Sequence, residues 1–199
     1  MEQDTETRIF EAARAVFVEQ GFEGARMQEI ADRAGINKAL LHYYFRSKAR
    51  LFEAVFRASA AEVLSQAATA LRQDQPLPDR LTTFVHTYID LIRANPHLPA
   101  FVLEELRRNP DALKAVVAEH TPGLLDALGR GIEDAVAAGR LRRIDPAHLL
   151  AHLIGLCIIP FIARPMLQTA TQMDDAAYDA FLEARKEEVS TFIHRALVP

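Results

Sequence analysis

The chain has one cysteine, Cys157, which excludes an internal disulfide and any cysteine-rich metal site. A reducing cytoplasm is therefore the expected setting. Glycine is scarce as well, 8 in 199 residues, while half of the residues are hydrophobic and alanine and leucine abound, a balance that favours an all-α protein. No strand-like alternation interrupts it. No charged-then-apolar leader opens the chain, so no secretory signal is expected. No apolar run reaches the roughly 20 residues that cross a bilayer; Leu149 to Ala163 comes nearest and stops at Arg164. A Gly-rich phosphate loop and a nucleophile elbow are both missing. His148 and His152 stand four apart on one helix, with neither the HExxH glutamate nor a third ligand, so no metal, cofactor or catalytic residue is assigned. The apolar run around Cys157 raises a thiol pKa and makes the cysteine inert, and Glu104-Glu105 beside Arg107-Arg108 reads as a solvated charged face.

An excess of positive charge is also lacking, since the net charge is −4. Its distribution matters more than its total. From Arg26 to Arg50 six basic residues (Arg26, Arg33, Lys38, Arg46, Lys48, Arg50) face two acidic ones (Glu29, Asp32), whereas the first 25 residues carry six acidic and two basic. The positive charge is concentrated in one short segment, as contact with a phosphate backbone requires.

What that segment contains is Met27 to Phe45, MQEIADRAGINKALLHYYF. Met27, Ile30, Ala31 and Ala34 recur at helical spacing. Gly35 follows as a residue able to leave a helix with φ > 0, and Asn37 is a good N-cap for a second helix through Tyr44. Helix, short glycine turn, helix is the helix-turn-helix arrangement, whose second helix can lie in the DNA major groove. Leu41 and Phe45 can pack inward, but Lys38, Ala39, Leu40, His42, Tyr43 and Tyr44 are too many for the same face. Several aromatics and a cation must look outward, as on a contact surface.

Gly21 to Phe52, GFEGARMQEIADRAGINKALLHYYFRSKARLF, resembles the DNA-binding segment of TetR-type transcriptional regulators. Gly21-Phe22, Ile30-Ala31, Ala34-Gly35-Ile36, Leu41 to Phe45, and Ser47-Lys48 with Leu51-Phe52 carry the likeness, over about a quarter of the chain. The resemblance implies a bacterial, cytoplasmic homodimer that reads double-stranded DNA at an inverted repeat and answers to a small effector. It implies base contacts from Lys38, Ala39, Leu40 and Tyr43, and phosphate contacts from His42, Tyr44 and Lys48; lysine suits guanine O6 or N7, and alanine a thymine methyl. Ser47 is read as the N-cap of the next helix. Arg26 stands where family members often have Ser or Thr, so a cap is lost while a bidentate phosphate donor is gained. With the capping Asn37, these form the expected DNA-binding set.

The rest of the chain divides at its punctuation. A helix capped by Asp4 runs to Gln20 with Ile9, Ala12, Ala13, Val16 and Phe17 inward, and Gly21 ends it. A linking helix spans about 48–71. Asp79 caps a helix to about Asn95; Leu98 to Arg108 is another. Asn109-Pro110, Thr121-Pro122 and Asp145-Pro146 each read as N-cap followed by N1 proline, opening three more, and Gly139 fits the C′ position of the second. His148 to Leu167 is apolar on nearly every side, with Pro160 and Pro165 set to kink or break it. Asp175 to Leu197 carries one apolar stripe.

The expected organisation is all-α: residues 1–47 form a three-helix DNA-binding head with the helix-turn-helix, and residues 48–199 a helical effector-binding and dimerisation body. By the resemblance the last two helices of each subunit pair, which nominates Leu153, Leu156, Ile158, Phe181, Val189, Phe192 and Ile193 for a dimer interface. An effector pocket among the body helices is assigned to Phe84, Tyr88, Phe101, Leu103, Leu125, Leu128, Phe161 and Met166, with His86, Glu104 or His152 as polar companions. A small apolar or amphipathic effector that releases a repressor fits this layout. An activator, a corepressor-dependent regulator, or a helical binding or scaffold protein without operator affinity shares the same features.

Overall fold

The structure, a computed structural model, describes residues 2–96 and 98–198, with side chains from Thr5 onward. Among the described residues there are eleven α-helices and no strand: α1 (Glu2–Gly24), α2 (Met27–Ala34), α3 (Lys38–Tyr44), α4 (Lys48–Arg72), α5 (Leu77–Ala94), α6 (Leu98–Arg108), α7 (Pro110–His120), α8 (Leu124–Ala137), α9 (Pro146–Ile162), α10 (Arg164–Thr171) and α11 (Asp175–Leu197). They form two compact units. One comprises the chain up to Ala60 with Phe101–Lys114, and the other Ala61–Ala100 with the chain from Ala115 onward. The division thus passes through α4, α6 and α7, whereas the sequence boundary at 47 follows the end of the motif.

In the first unit α1 buries the stripe Ile9, Ala12, Ala13, Val16 and Phe17. The helix begins two residues ahead of Asp4, so Asp4 lies inside it rather than at its cap; its side chain is outside the described residues. Gly21 breaks the helical path at φ 67°, ψ 178°. The chain then folds Phe22 back onto an aromatic cluster with Phe17, Phe52 and Phe101. The Arg108 guanidinium covers it, 3.4 Å from the Phe22 ring centroid.

Glu105 corrects the reading of a solvated face. Phe101 and Glu105 share one side of α6, and Glu105 is only 2% exposed, with Oε2 unpartnered. Burial raises its carboxyl pKa, Arg108 opposes that, and Glu53 and Glu104 add to it. A carboxyl whose folded pKa lies above its unfolded value gives stability that is complete at low pH and lost as pH rises through the folded pKa. Glu105→Gln is therefore expected to raise the thermal midpoint at neutral pH, with the gain fading towards about pH 4. A gain that instead grew on acidification would contradict this sign.

The second unit packs α5, α8, α9 and α11 around Leu81, Phe84, Ile89, Leu128, Leu153 and Leu182. Asp145 caps α9 as expected, accepting from Ala147 N and His148 N. Two starts differ. α5 opens at Leu77 behind Pro76, with Asp79 in its first turn. α8 opens at Leu124 behind Gly123 in the left-handed conformation, while the Thr121 hydroxyl donates back to Val117 O at 2.8 Å. That back-bond removes Thr121 from the cap.

The apolar run after Asp145 divides at Ala163, and α9 and α10 bend by 76°. No single helix among the described residues is long and apolar enough to cross a membrane. Pro165 sits in the first turn of α10, where a missing N–H is harmless. Pro160 stays inside α9 and leaves Leu156 O without its helical donor. Arg185 on α11 supplies one at 2.8 Å, and the Tyr178 hydroxyl donates to Pro160 O at 2.7 Å. A buried arginine, Arg80, donates from Nη1 to Leu71 O near the end of α4. Its guanidinium lies against the bare Cα of Gly131 in α8, where a Cβ would stand 1.9 Å from Nη2.

Candidate nucleic-acid interface

The helix-turn-helix forms for local reasons. Ile30, Ala31 and Ala34 bury one face of α2, and Gly35 leaves it in the left-handed region at φ 65°, ψ 35°. Asn37 then caps α3, its side chain accepting from Leu40 N at 2.7 Å. Arg8 of α1 adds what the motif did not predict: its Nη2 donates to Ala34 O and Gly35 O, closing the C-terminal end of α2. Its φ favours glycine here, and a Cβ at Gly35 would stand 2.6 Å from that nitrogen, so Arg8 would have to shift its guanidinium.

α3 is pinned by Leu41, fully buried, and by Phe45 against the Phe10 ring at 5.7 Å. This pinning leaves Asn37, Lys38, Ala39, Leu40, His42 and Tyr43 exposed, Tyr43 by 79%. Tyr44 is half-buried, its ring edge-on to Tyr43 at 5.7 Å. Arg26 is exposed at the N-cap of α2 and makes no capping bond, as its side chain requires.

The cations of the segment are not equivalent. Arg33 is bound by Glu19 and Glu29 at 2.6 and 2.7 Å, which raises its pKa and takes its charge out of the local surplus. The half-buried Lys48 donates from Nζ to Glu23 O and Ala25 O at 3.1 and 3.0 Å and lies 4.6 Å from the Phe22 ring centroid. Ser47 caps α4, accepting from Arg50 N at 3.2 Å. Beside α3, Tyr44, Arg46, Arg50, Glu53 and Arg57 border a groove of about 510 Å³. Arg46 and Arg50 belong to the basic cluster of the sequence, but the resemblance matches neither to an individual contact.

The body assignments fare unevenly. Phe84, Tyr88, Phe101 and Leu128 are buried and Phe161 is half-buried, but Leu103, Leu125 and Met166 are open to solvent, by 47%, 47% and 64%. Helical spacing named an apolar side without telling which turn a neighbour covers; of the three, Leu125 borders a cleft of about 460 Å³ with Gly129, Arg130, Glu133 and Pro146. Of the polar companions, His86 faces Glu187 at 3.4 Å and Glu104 pairs with Arg107. Burial pushes the Cys157 thiol and the Tyr88 hydroxyl each up to about 12. Among the interface candidates, Leu153 of α9 and Val189 and Ile193 on the single apolar stripe of α11 are buried within the subunit itself. Leu156, Ile158 and Phe181 are half-buried, and Phe192 is exposed. Leu149, His152, Leu156, Phe192 and Ile193 help to line a cleft of about 330 Å³ on this face.

Similarity to known proteins agrees with this geometry. The family model for bacterial regulatory proteins of the tetR family matches residues 9–55, and one for a tetracyclin repressor-like C-terminal domain matches residues 78–193. The HTH-type transcriptional regulator RutR of Escherichia coli (strain K12) is 29% identical over 142 residues, 71% of this chain and 66% of that protein. The chain thus matches just under two thirds of that relative's length. The HTH-type transcriptional activator FasR of Mycolicibacterium smegmatis is 40% identical over 81 residues, 41% of this chain and 37% of that protein. In fold, the chain matches a TetR/AcrR-family regulator from Thermobifida fusca with TM-score 0.66 at 20% identity, over 96% of this chain and 97% of that one.

Proposed function

The chain belongs to the TetR family of bacterial regulatory proteins, and from that premise we propose that it is a sequence-specific DNA-binding transcriptional regulator acting as a homodimer. The observation that carries the reading is the α3 surface: one buried anchor, Leu41, holding Lys38, Ala39, Leu40 and Tyr43 out to solvent. An α-helix fits the major groove, and these side chains offer a cation for a guanine edge and apolar groups for thymine methyls. Arg26, His42 and Tyr44 flank them for the phosphate backbone, with Asn37 setting the helix start. The exposed Phe192 and its neighbouring cleft support pairing through α9 and α11, and a two-fold dimer reads two half-sites.

Regulation is proposed as repression released by a small apolar or amphipathic effector bound in the helical body, which shifts the population away from the DNA-matched conformation. The opposite sign has its own support, since one relative is an activator. Selection of bound sites from random DNA at a fixed moderate salt concentration tests the core of the proposal. An inverted repeat with half-sites separated by whole helical turns is expected; enrichment of nothing would count against it. On the selected site, Lys38→Ala is expected to weaken binding by about 1–3 kcal/mol per half-site and to relax preference at one base-pair position in each.

A further inference from the structure

We infer that the phosphate grip at the start of α4 belongs to Arg46 and Arg50, and that Lys48 is a positioning residue that fastens α4 to the C-terminal end of α1. The inference rests on the reading of α3 as the base-contacting helix. Among the described residues, four basic side chains of the segment make neither an ion pair nor a hydrogen bond: Arg26, Lys38, Arg46 and Arg50. Arg33 is neutralised by two carboxylates, and Lys48 spends two of its three donors on the carbonyls of Glu23 and Ala25. An ammonium held by two carbonyls and 4.6 Å from the Phe22 ring centroid has one donor left for a mobile phosphate.

Arg46 and Arg50 are the reverse case. Both are exposed, and both border the groove that begins at Tyr44, next to the outward face of α3. Glu53 lies in the same wall, and Arg57 lies one turn beyond it. Neither Arg46 nor Arg50 is in ion-pair contact with Glu53 or any other carboxylate among the described residues. Two planar forks four residues apart, one in the bend before α4 and one in its first turn, suit phosphate oxygens of one strand.

Salt dependence separates the two roles. Binding of the purified full chain to a duplex carrying its selected site, and to a scrambled duplex of equal length, is titrated from low to moderate salt. Each phosphate contact contributes about 0.9 to the slope of log affinity against log salt. In the dimer each substitution removes two contacts, so Arg46→Ala and Arg50→Ala are each expected to lower the slope by about two units on both duplexes, and the double variant by about four. Lys48→Met, which keeps an apolar stem over Phe22, is expected to lower the thermal midpoint and leave the slope within scatter. A slope loss in Lys48→Met matching that of the double arginine variant overturns the inference, as does an unchanged slope in the double variant. Lys38→Ala in the same titrations keeps the underlying reading separate. If it leaves discrimination between the duplexes intact, the assignment of α3 fails whatever the arginines do.

Discussion

Phe52→Ala is expected to destabilise the first unit by about 3–5 kcal/mol, the range for deleting a fully buried phenyl ring. Phe52 is 1% exposed, and its ring centroid lies 5.0 Å from Phe17, 5.3 Å from Phe22 and 5.2 Å from Phe101. The substitution therefore takes one ring out of three contacts at once, two of them edge-to-face, and leaves Arg108 over a depleted platform. Whole domains are stable by only about 5–15 kcal/mol, so the loss is a large share of what holds α1 to α4. Urea unfolding by far-UV circular dichroism, with hydrogen exchange to locate the change, provides the measurement. Phe52→Leu keeps most of the volume and should lose markedly less. A midpoint for Phe52→Ala equal to that of the parent would mean that the cluster is not the core of this unit.

Gly131→Ala presents a conflict between two effects of opposite sign. In a helix interior alanine is better than glycine by about 1 kcal/mol. Here the added Cβ would stand 1.9 Å from Arg80 Nη2 and 3.0 Å from its Cζ, so the guanidinium must leave its place and lose Leu71 O. Arginine is flexible, which limits the penalty, but the side chain is 9% exposed and has little room to retreat. Overpacking of about 1–3 kcal/mol is expected to win, and Gly131→Ala should be destabilising. In an Arg80→Ala background the obstacle is gone, and the same change should become stabilising by up to about 1 kcal/mol. The reversal of sign is the decisive reading of the double-mutant cycle. Additive effects would show that Arg80 and Gly131 do not meet.

The features legible in advance share one property: their cause lies within four residues in the chain. Gly35, Asn37, Ser47 and Asp145 announce their caps and turns in this way, and the structure places each as expected. Thr121 carried the same signal and failed, because Gly123 supplied the left-handed turn and the hydroxyl found Val117 O first. Partners far along the chain left no such mark. Arg8 closes α2 from 26 residues away, and Arg185 reaches Leu156 across 29. Lys48 matched a phosphate position by motif, yet its carbonyl partners lie more than 20 residues back. Periodicity found the buried stripes of the body but could not say what covers them. Leu153 and Phe192 therefore read alike, although one is core and the other surface.

The side-chain donors that α11 lends to α9 bear on how this part of the molecule breathes. A helix end ordinarily frays residue by residue, and amide protection falls off smoothly toward the terminus. Here the carbonyls of Leu156 and Pro160 are held by Arg185 and Tyr178 instead of by the next turn of the same helix. Unzipping the last turns of α9 must then release the middle of α11 in the same event. The amides of Cys157, Ile158, Ile159, Phe161 and Ile162 should show one shared opening free energy, common to those around Tyr178 and Arg185. Proline, usually the residue that loosens a helix, has here made one helix's end depend on another's integrity.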